Sequence, residues 1–398
     1  MIERLVLFKG DVETQGYFSI QLEKAFRKLG YDVYMYDYKK EGLSALNLVR
    51  FLKRGVTAVV TFNFHGICEE NILRDSEGVY IWDSLEIPVL NIVVDHPFYY
   101  QRFFPQLPRA YYQCSIDENH QAYMERFFPK MMSGPFLPLA GTQLLGEETV
   151  NNPCQPISKR SYDVVFTGNY TNPSYLNKYF KEAGAEYEQF YRSIVEELIG
   201  HTERTLEEVF IRRIKEEIPE VTDKEICDTL PNMIFMDLYI RYYMRGKVVQ
   251  TLADAGIVVH VFGGGWDELP CEKPENVISC FGLESEECLK VIRDAKISLN
   301  VMPWFKRGYH DRIFNSMCNG AVCVTDSSAL LDEILVDGEN AVCFFLEHLE
   351  ALPDKVKALL ANPDKMQKIA DSGKKLARKE HTWDNRAEVL HKWMRENL

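Results

Sequence analysis

The sequence predicts two successive α/β domains, each built on a parallel sheet with crossover helices. Three observations lead there. Apolar strands alternate with amphipathic helices along the first part of the chain. The strands are continuous Val/Ile/Leu runs rather than alternating ones, which marks strands covered on both faces. The pattern then stops and restarts with an echo of its own beginning, Val6-Leu7-Phe8-Lys9-Gly10-Asp11 against Val164-Val165-Phe166-Thr167-Gly168-Asn169. At 398 residues the chain also exceeds one ordinary domain.

The elements follow in order. RLVLFK is a strand, and YFSIQLEKAFRKLG is a helix closed by Gly30. YDVYMYDY, TAVVTFNF, PVLNIVVD and RAYYQCSI read as further strands, with helical or turn material between them. The pattern lapses over residues 137–161, where Pro138, Gly141, Gly146, Asn151, Asn152, Pro153 and Pro156 make a linker. Residues 1–150 are therefore expected as one Rossmann-like domain and residues 151–375 as a second. Residues 175–243 interrupt the second domain. Rich in Glu, Lys, Arg and Tyr and poor in Gly, they read as a helical insertion. Its mixed charge favours a protein partner or self-association. The strands IVVHVF, NVISCF, KISLNV, AVCVTD and AVCFF come after it. In residues 376–398, Trp383, Ala387, Leu390 and Trp393 recur at helical spacing, so this last helix has one apolar face to pack, toward the first domain.

Composition narrows the function. The formal charge of −13 argues against a general nucleic-acid binder and weakly against docking on an anionic membrane. No apolar run is long enough to span a bilayer, and the start MIERLVLFKG lacks the layout of a secretory signal. Ten cysteines occur singly, without a CxxC pair, as expected of free thiols in a reducing, cytoplasmic setting. No metal site is apparent.

In open α/β sheets ligands sit beyond the carboxyl ends of the strands, where helix N-termini favour anions. Four loops of the second half qualify. Gly168-Asn169 follows the first strand. Gly263-Gly264-Gly265-Trp266 follows IVVHVF; it serves either a tight turn or a ligand loop, with Trp266 placed to cover a flat ring. The third loop carries Lys306, Arg307 and His310 into a helix that begins near Arg312, an arrangement suited to a diphosphate or, more plainly, a solvated basic patch. The fourth, Thr325-Asp326-Ser327-Ser328, offers backbone N–H groups and hydroxyls, or simply caps a helix.

The order FTGN, VFGGGW, RIFNSMCNGAVCVTD, EILVDGENAVCF and a terminal TWDNRA helix resembles the donor-binding half of GT-B glycosyltransferases. The nearest likeness is to the group 1 type, including its spore-maturation-like branch. The resemblance implies two Rossmann-like domains facing a cleft, and a nucleoside-diphosphate sugar, UDP-sugar favoured, bound without metal or cofactor. Carried over residue by residue, it puts donor contacts on Arg312, Asn315, Thr325 and Asp326, with Gly168, Asn169, Gly264 and Gly265 lining the pocket. One departure stands out. The family's helix carries a Glu for the ribose hydroxyls where this chain has Asn315, which lacks the charge of a strong diol acceptor.

The first domain is then expected to serve the acceptor. Its polar strand ends are Gly10-Asp11, Asn63-Phe64-His65-Gly66 and Asp95-His96-Pro97. His96, oriented by Asp95, is the expected base for an acceptor hydroxyl, with hydrogen bonding to substrate or a structural role as the alternatives. Asp11 and His65 are weaker versions of the same arrangement. The expected function is sugar transfer from a nucleotide sugar to an acceptor of unknown kind. A nucleotide-sugar epimerase, a polyol-phosphate transferase and a non-catalytic scaffold are the rivals.

Overall fold

The structure, a computed structural model, describes residues 1–144, 154–182 and 184–398. The chain divides into two compact units, Met1–Ala140 with His381–Leu398, and Gly141–Glu380. The expected boundary at residues 150 and 151 lies outside the described residues, as do Gly146, Asn151, Asn152 and Pro153 of the expected linker.

The first unit is a six-stranded parallel sheet in the order β2-β1-β3-β4-β5-β6. Its strands are β1 (Arg4–Lys9), β2 (Asp32–Asp37), β3 (Thr57–Phe62), β4 (Val89–Val93), β5 (Tyr111–Ser115) and β6 (Met132–Ser133). All six residues of β3 are buried, as a strand covered on both faces requires. Helix α1 (Glu13–Lys28) connects β1 to β2, and helix α2 (Glu41–Phe51) connects β2 to β3 while packing on the edge strand β2.

The terminal helix Trp383–Asn397 completes this unit along α1. Trp383 lies 4.9 Å from the Phe18 ring and 6.0 Å from Phe62, and Trp393 meets Tyr112 edge-on at 4.9 Å. Arg386 donates to the carbonyls of Pro138 (2.6 Å) and Leu139 (3.2 Å), so its buried guanidinium holds the last stretch of the unit's own chain.

The second unit repeats the plan in the order β12-β11-β10-β7-β8-β9, again all parallel. Its strands are β7 (Tyr162–Thr167), β8 (Val259–Phe262), β9 (Val277–Cys280), β10 (Ala295–Asn300), β11 (Val322–Asp326) and β12 (Val342–Phe344). Between β7 and β8 lie the helices Ala185–Gly200 and Leu206–Glu217 with shorter pieces, and then the long helix α3 (Ile234–Asp254). The last of these runs past the expected end of the insertion at 243. It is the crossover helix that returns the chain to β8, with Met244, Val248, Val249 and Leu252 in the core. Helix α4 (Asp311–Cys318) joins β10 to β11. Its start and the loops after β7, β10 and β11 share the carboxyl end of the sheet, where the order reverses between β7 and β10.

Candidate functional site

Three arginines gather at the carboxyl end of the second sheet. Arg312, in the first turn of α4, is 7% exposed. Its Nε donates to the Thr167 carbonyl (2.8 Å) and its Nη1 to Asn300 Oδ1 (2.7 Å), while Asn300 donates to Thr325 Oγ1 (2.9 Å). The guanidinium is thus tied to the ends of β7, β10 and β11 and lies 5.0 Å from the centre of the Phe166 ring. Arg245 comes from α3. It donates to the Asn169 carbonyl and sits 5.7 Å from the Phe166 ring and 5.6 Å from the Trp304 ring. Its Nε has no hydrogen-bond partner. Arg241, one helical turn earlier, lies over Trp304 at 4.4 Å and pairs with Asp237 at 2.7 Å.

The electrostatics differ from one arginine to the next. Burial, followed by the Arg312 and Arg241 charges, pushes the Arg245 guanidinium down to about 9. No carboxylate pairs with it among the described residues. Arg312 is also lowered, by burial first, with Asp311 acting against the shift. Burial alone would raise the Asp311 carboxyl, but His310, Arg312 and Asn315 hold it below the usual aspartate range. Its charge is shared with His310, whose Nδ1 is 2.7 Å from Asp311 Oδ1 and 3.2 Å from the Arg312 N–H. Desolvating a cation without a counter-ion is costly, and half-buried Arg245, with no carboxylate partner among the described residues, suits an anion with several oxygens.

Beside the arginines, the loop after β10 turns its other face to a hollow of about 280 Å³. Lys306, Asp326, Ser327, Phe344, Phe345 and, from the insertion, Thr202 are among its lining residues. Lys306 Nζ donates to the carbonyls of Thr202 and Pro303. Both Asp326 oxygens accept from the Met302 N–H (2.9 and 3.1 Å), yet burial raises this carboxyl to about 7.

In the first unit the ends of β1 and β3 are neighbours at the point where the strand order reverses. There Asp11 Oδ2 is 3.0 Å from His65 Nε2. His65 is presented by an unusual turn in which Asn63 (φ 43°) and Phe64 (φ 69°) both adopt left-handed backbone, at a cost on the order of 1–3 kcal/mol each. The surroundings pin that turn. Thr61 Oγ1 donates to the His65 carbonyl (2.8 Å), the Phe64 N–H to Asn91 Oδ1 (3.0 Å), and Trp82 Nε1 to the Gly66 carbonyl (2.6 Å). Burial lowers the His65 pKa, with Asp11 and Glu70 partly offsetting it. Because an ionised Asp11 only accepts, Nε2 carries the proton and Nδ1 keeps a lone pair.

Comparison with known proteins places this architecture. Three solved structures share it over nearly the whole chain. AviGT4, a glycosyltransferase involved in avilamycin A biosynthesis, matches with a TM-score of 0.52 at 10% identity over 99% of this chain and 97% of its own. HepE of Anabaena in complex with UDP-glucose matches with 0.51 at 8% identity over 99% of each chain. An alpha-glucosyltransferase bound to UDP and a 13-mer DNA matches with 0.52 at 10% identity over 98% of this chain and 100% of its own. The fold is GT-B. Residues 245–392 match the family described as glycosyl transferase-like. No curated protein sequence matches the chain. At these identities the structural likeness shows the fold alone.

Within the GT-B frame the expected residues separate into groups. Arg312 and His310 stand at the arginine cluster with Gly168 and Asn169. Lys306 faces the hollow instead, and Arg307 stays on the surface, so the three basic residues expected together are dispersed. Asn315 is engaged at both ends: its Oδ1 accepts from the Thr142 N–H (2.7 Å) and its Nδ2 donates to Asp311 Oδ2 (2.7 Å). A Glu there would set a second carboxylate against Asp311. Thr325 and Asp326 are buried, Thr325 bonding inward to the Asp326 carbonyl (2.6 Å).

The glycine triplet is a packing device. A Cβ on Gly263 would come within 2.4 Å of the Gly168 carbonyl oxygen, and one on Gly265 (φ 84°) within 2.2 Å of that of Tyr170. Only Gly264 is open, its N–H donating to Asn169 Oδ1 (2.9 Å). Trp266, expected over a flat ligand ring, is instead core, stacked on Tyr170 and donating to the Gly168 carbonyl (2.8 Å). In the first unit, His96 is 8% exposed and its Nδ1 accepts from the Phe98 N–H (3.2 Å), so the lone pair a base needs caps a helix. Asp95 accepts from Asn63 (3.2 Å) and Tyr100 (2.9 Å).

Sequence reading missed Arg241, which it took into the insertion, and Arg245, which lies just beyond the insertion's expected end. One signal was present. Asp237, Arg241 and Arg245 recur every fourth residue, and Gly246 follows where a Cβ would sit 2.6 Å from the Tyr170 ring.

Proposed function

We propose that this protein is a glycosyltransferase that takes a sugar from a nucleoside-diphosphate donor, a UDP-sugar first among them, and passes it to an acceptor hydroxyl. The observation that carries the reading is the arginine trio beside the start of α4, buried Arg312 with half-buried Arg241 and Arg245, of which Arg245 has no carboxylate partner among the described residues. A diphosphate supplies the missing charge and enough oxygens for three guanidiniums. The UDP-glucose in the HepE structure and the UDP in the DNA-bound glucosyltransferase support the choice of donor. Because the arginines bring the positive charge, the reading needs no metal. Asn315, tied to Thr142 and Asp311, is assigned to shaping the site rather than to the ribose.

On the acceptor side His65, held by Asp11, is the base in preference to His96. The acceptor hydroxyl gives its proton to a base as its oxygen attacks the anomeric carbon, a role that the lone pair on His65 Nδ1 suits. The carbon–oxygen bond to the diphosphate breaks, and the negative charge that develops on the leaving group falls to Arg245, Arg312 and the N-terminus of α4. The order of RIFNSMCNG and DGEN supports the spore-maturation-like branch of the group. Ten free cysteines support a reducing, cytoplasmic setting. Exposed Tyr175, Tyr179 and Tyr187 support a docking role for the insertion.

The test is nucleotide binding followed by thermal unfolding and calorimetry, with and without EDTA. UDP and its sugars are expected to raise the midpoint whether or not EDTA is present. The Arg245→Met variant should fold and bind about 30-fold more weakly, the loss of charge-assisted hydrogen bonds. A folded protein that responds to no nucleoside diphosphate would overturn the reading and favour a non-catalytic scaffold.

A further inference from the structure

Helix α2 carries a face that folding leaves uncovered. Ser44 and Leu48 are buried, whereas Leu43, Leu46 and Val49 are 58%, 55% and 61% exposed. At about 100° per residue these three fall on one side of the helix, opposite the buried pair. Ile72, 47% exposed, lies on the turn Asn71–Leu73 that packs beside the same helix. The flanks are basic. Lys39 and Lys40 precede α2, Arg50 is in its last turn, and Lys53 and Arg54 follow it, all exposed, against a single acidic residue, Glu41, in the same stretch. Arg54 pairs with Glu86, while Lys39, Lys40, Arg50 and Lys53 make no ion pair among the described residues. This stretch is strongly cationic in a chain whose net charge is −13.

We propose that α2 is a membrane-docking helix that lies flat in the interface of a bilayer containing anionic lipid. Leu43, Leu46 and Val49 enter the boundary with the acyl chains, and the flanking lysines and arginines reach the headgroup phosphates. Aliphatic residues on one side, rimmed by cations on long flexible stems, are the composition of an interfacial helix. A protein partner is a poorer fit, because interface centres draw on aromatic and arginine anchors seated in pockets. This face is a convex helix surface bearing only aliphatics, on the edge strand of its sheet. The total charge argues weakly against an anionic surface, but screening limits each charge to its own neighbourhood. The local cations therefore govern docking and the acidic remainder orients the molecule. The inference stands independently of the transferase reading.

The experiment is co-sedimentation of the full chain with vesicles of phosphatidylcholine alone or mixed with phosphatidylglycerol. Binding is expected to the mixed vesicles only and to weaken as salt rises. Arg50→Ser with Lys53→Ser should weaken it about 30-fold, and Leu43→Ser with Leu46→Ser by at least about 10-fold. Both variants should unfold at the wild-type midpoint, since these side chains are exposed. Absence of binding to either vesicle would overturn the proposal, as would equal binding by wild type and variants. So would a concentration-dependent dimer that Leu46→Ser dissolves, or retention on polyglutamate, if vesicles are not bound.

Discussion

His65 is held by a turn that spends backbone energy to present it, with two left-handed non-glycine residues before it and hydrogen bonds on every side. Such strain persists only where the surroundings over-determine it. If the imidazole is the base, His65→Asn should lower kcat by roughly 100-fold or more while leaving UDP affinity unchanged. The acid limb of the rate profile should lie below the ordinary histidine pKa, because the folded value is lowered. Steady-state kinetics against pH check both, and a profile flat through that region would exclude His65. The Asp326 carboxyl moves the other way. Its folded pKa, about 7, is above its unfolded value, so the folded state binds the extra proton. Its contribution is full below the unfolded value of about 4 and is lost as pH rises through about 7, up to about 4 kcal/mol in all. Asp326→Asn should flatten that loss, read by urea unfolding at pH 5 and pH 8; an unchanged pH dependence would refute the assignment.

Among the elements, the terminal helix makes the clearest claim on stability. Trp383 is 4% exposed between Phe18 and Phe62, and the helix is also held by Lys28–Asp384 (2.7 Å) and by Tyr31 with His391 (2.9 Å). Trp383→Ala should cost the first unit about 3–5 kcal/mol. Hydrogen exchange resolves it: protection should fall in α1, β1 and β3 and hold in the second unit. Loss spread evenly over both units would contradict the division. This helix was legible in the sequence because Trp383, Ala387, Leu390 and Trp393 repeat at helical spacing, and spacing is a local property. Helix α3 was legible only in part. Its outer turns looked like the rest of the charged insertion, and nothing local separates an arginine bound for solvent from one bound for a sheet's carboxyl end.

For the molecule as a whole, the sequence by itself determined two successive parallel α/β sheets and the helix that leads into β11. Those features rest on apolar runs, glycine and proline punctuation and period, all written within a few residues of one another. The tertiary structure alone decided which charges meet. Lys306, Arg307 and Arg312 are neighbours in sequence and part company in space, while Arg312, distant in sequence from Arg241 and Arg245, joins them around the Phe166 and Trp304 rings. It also turned Asn315 inward to Thr142, made His96 a cap, and set Asp11 beside His65 across two strand ends. The reason is physical. Burial of apolar surface depends on pattern, which a short segment carries alone, whereas the free energy of a charge depends on the desolvation and partners that distant segments impose.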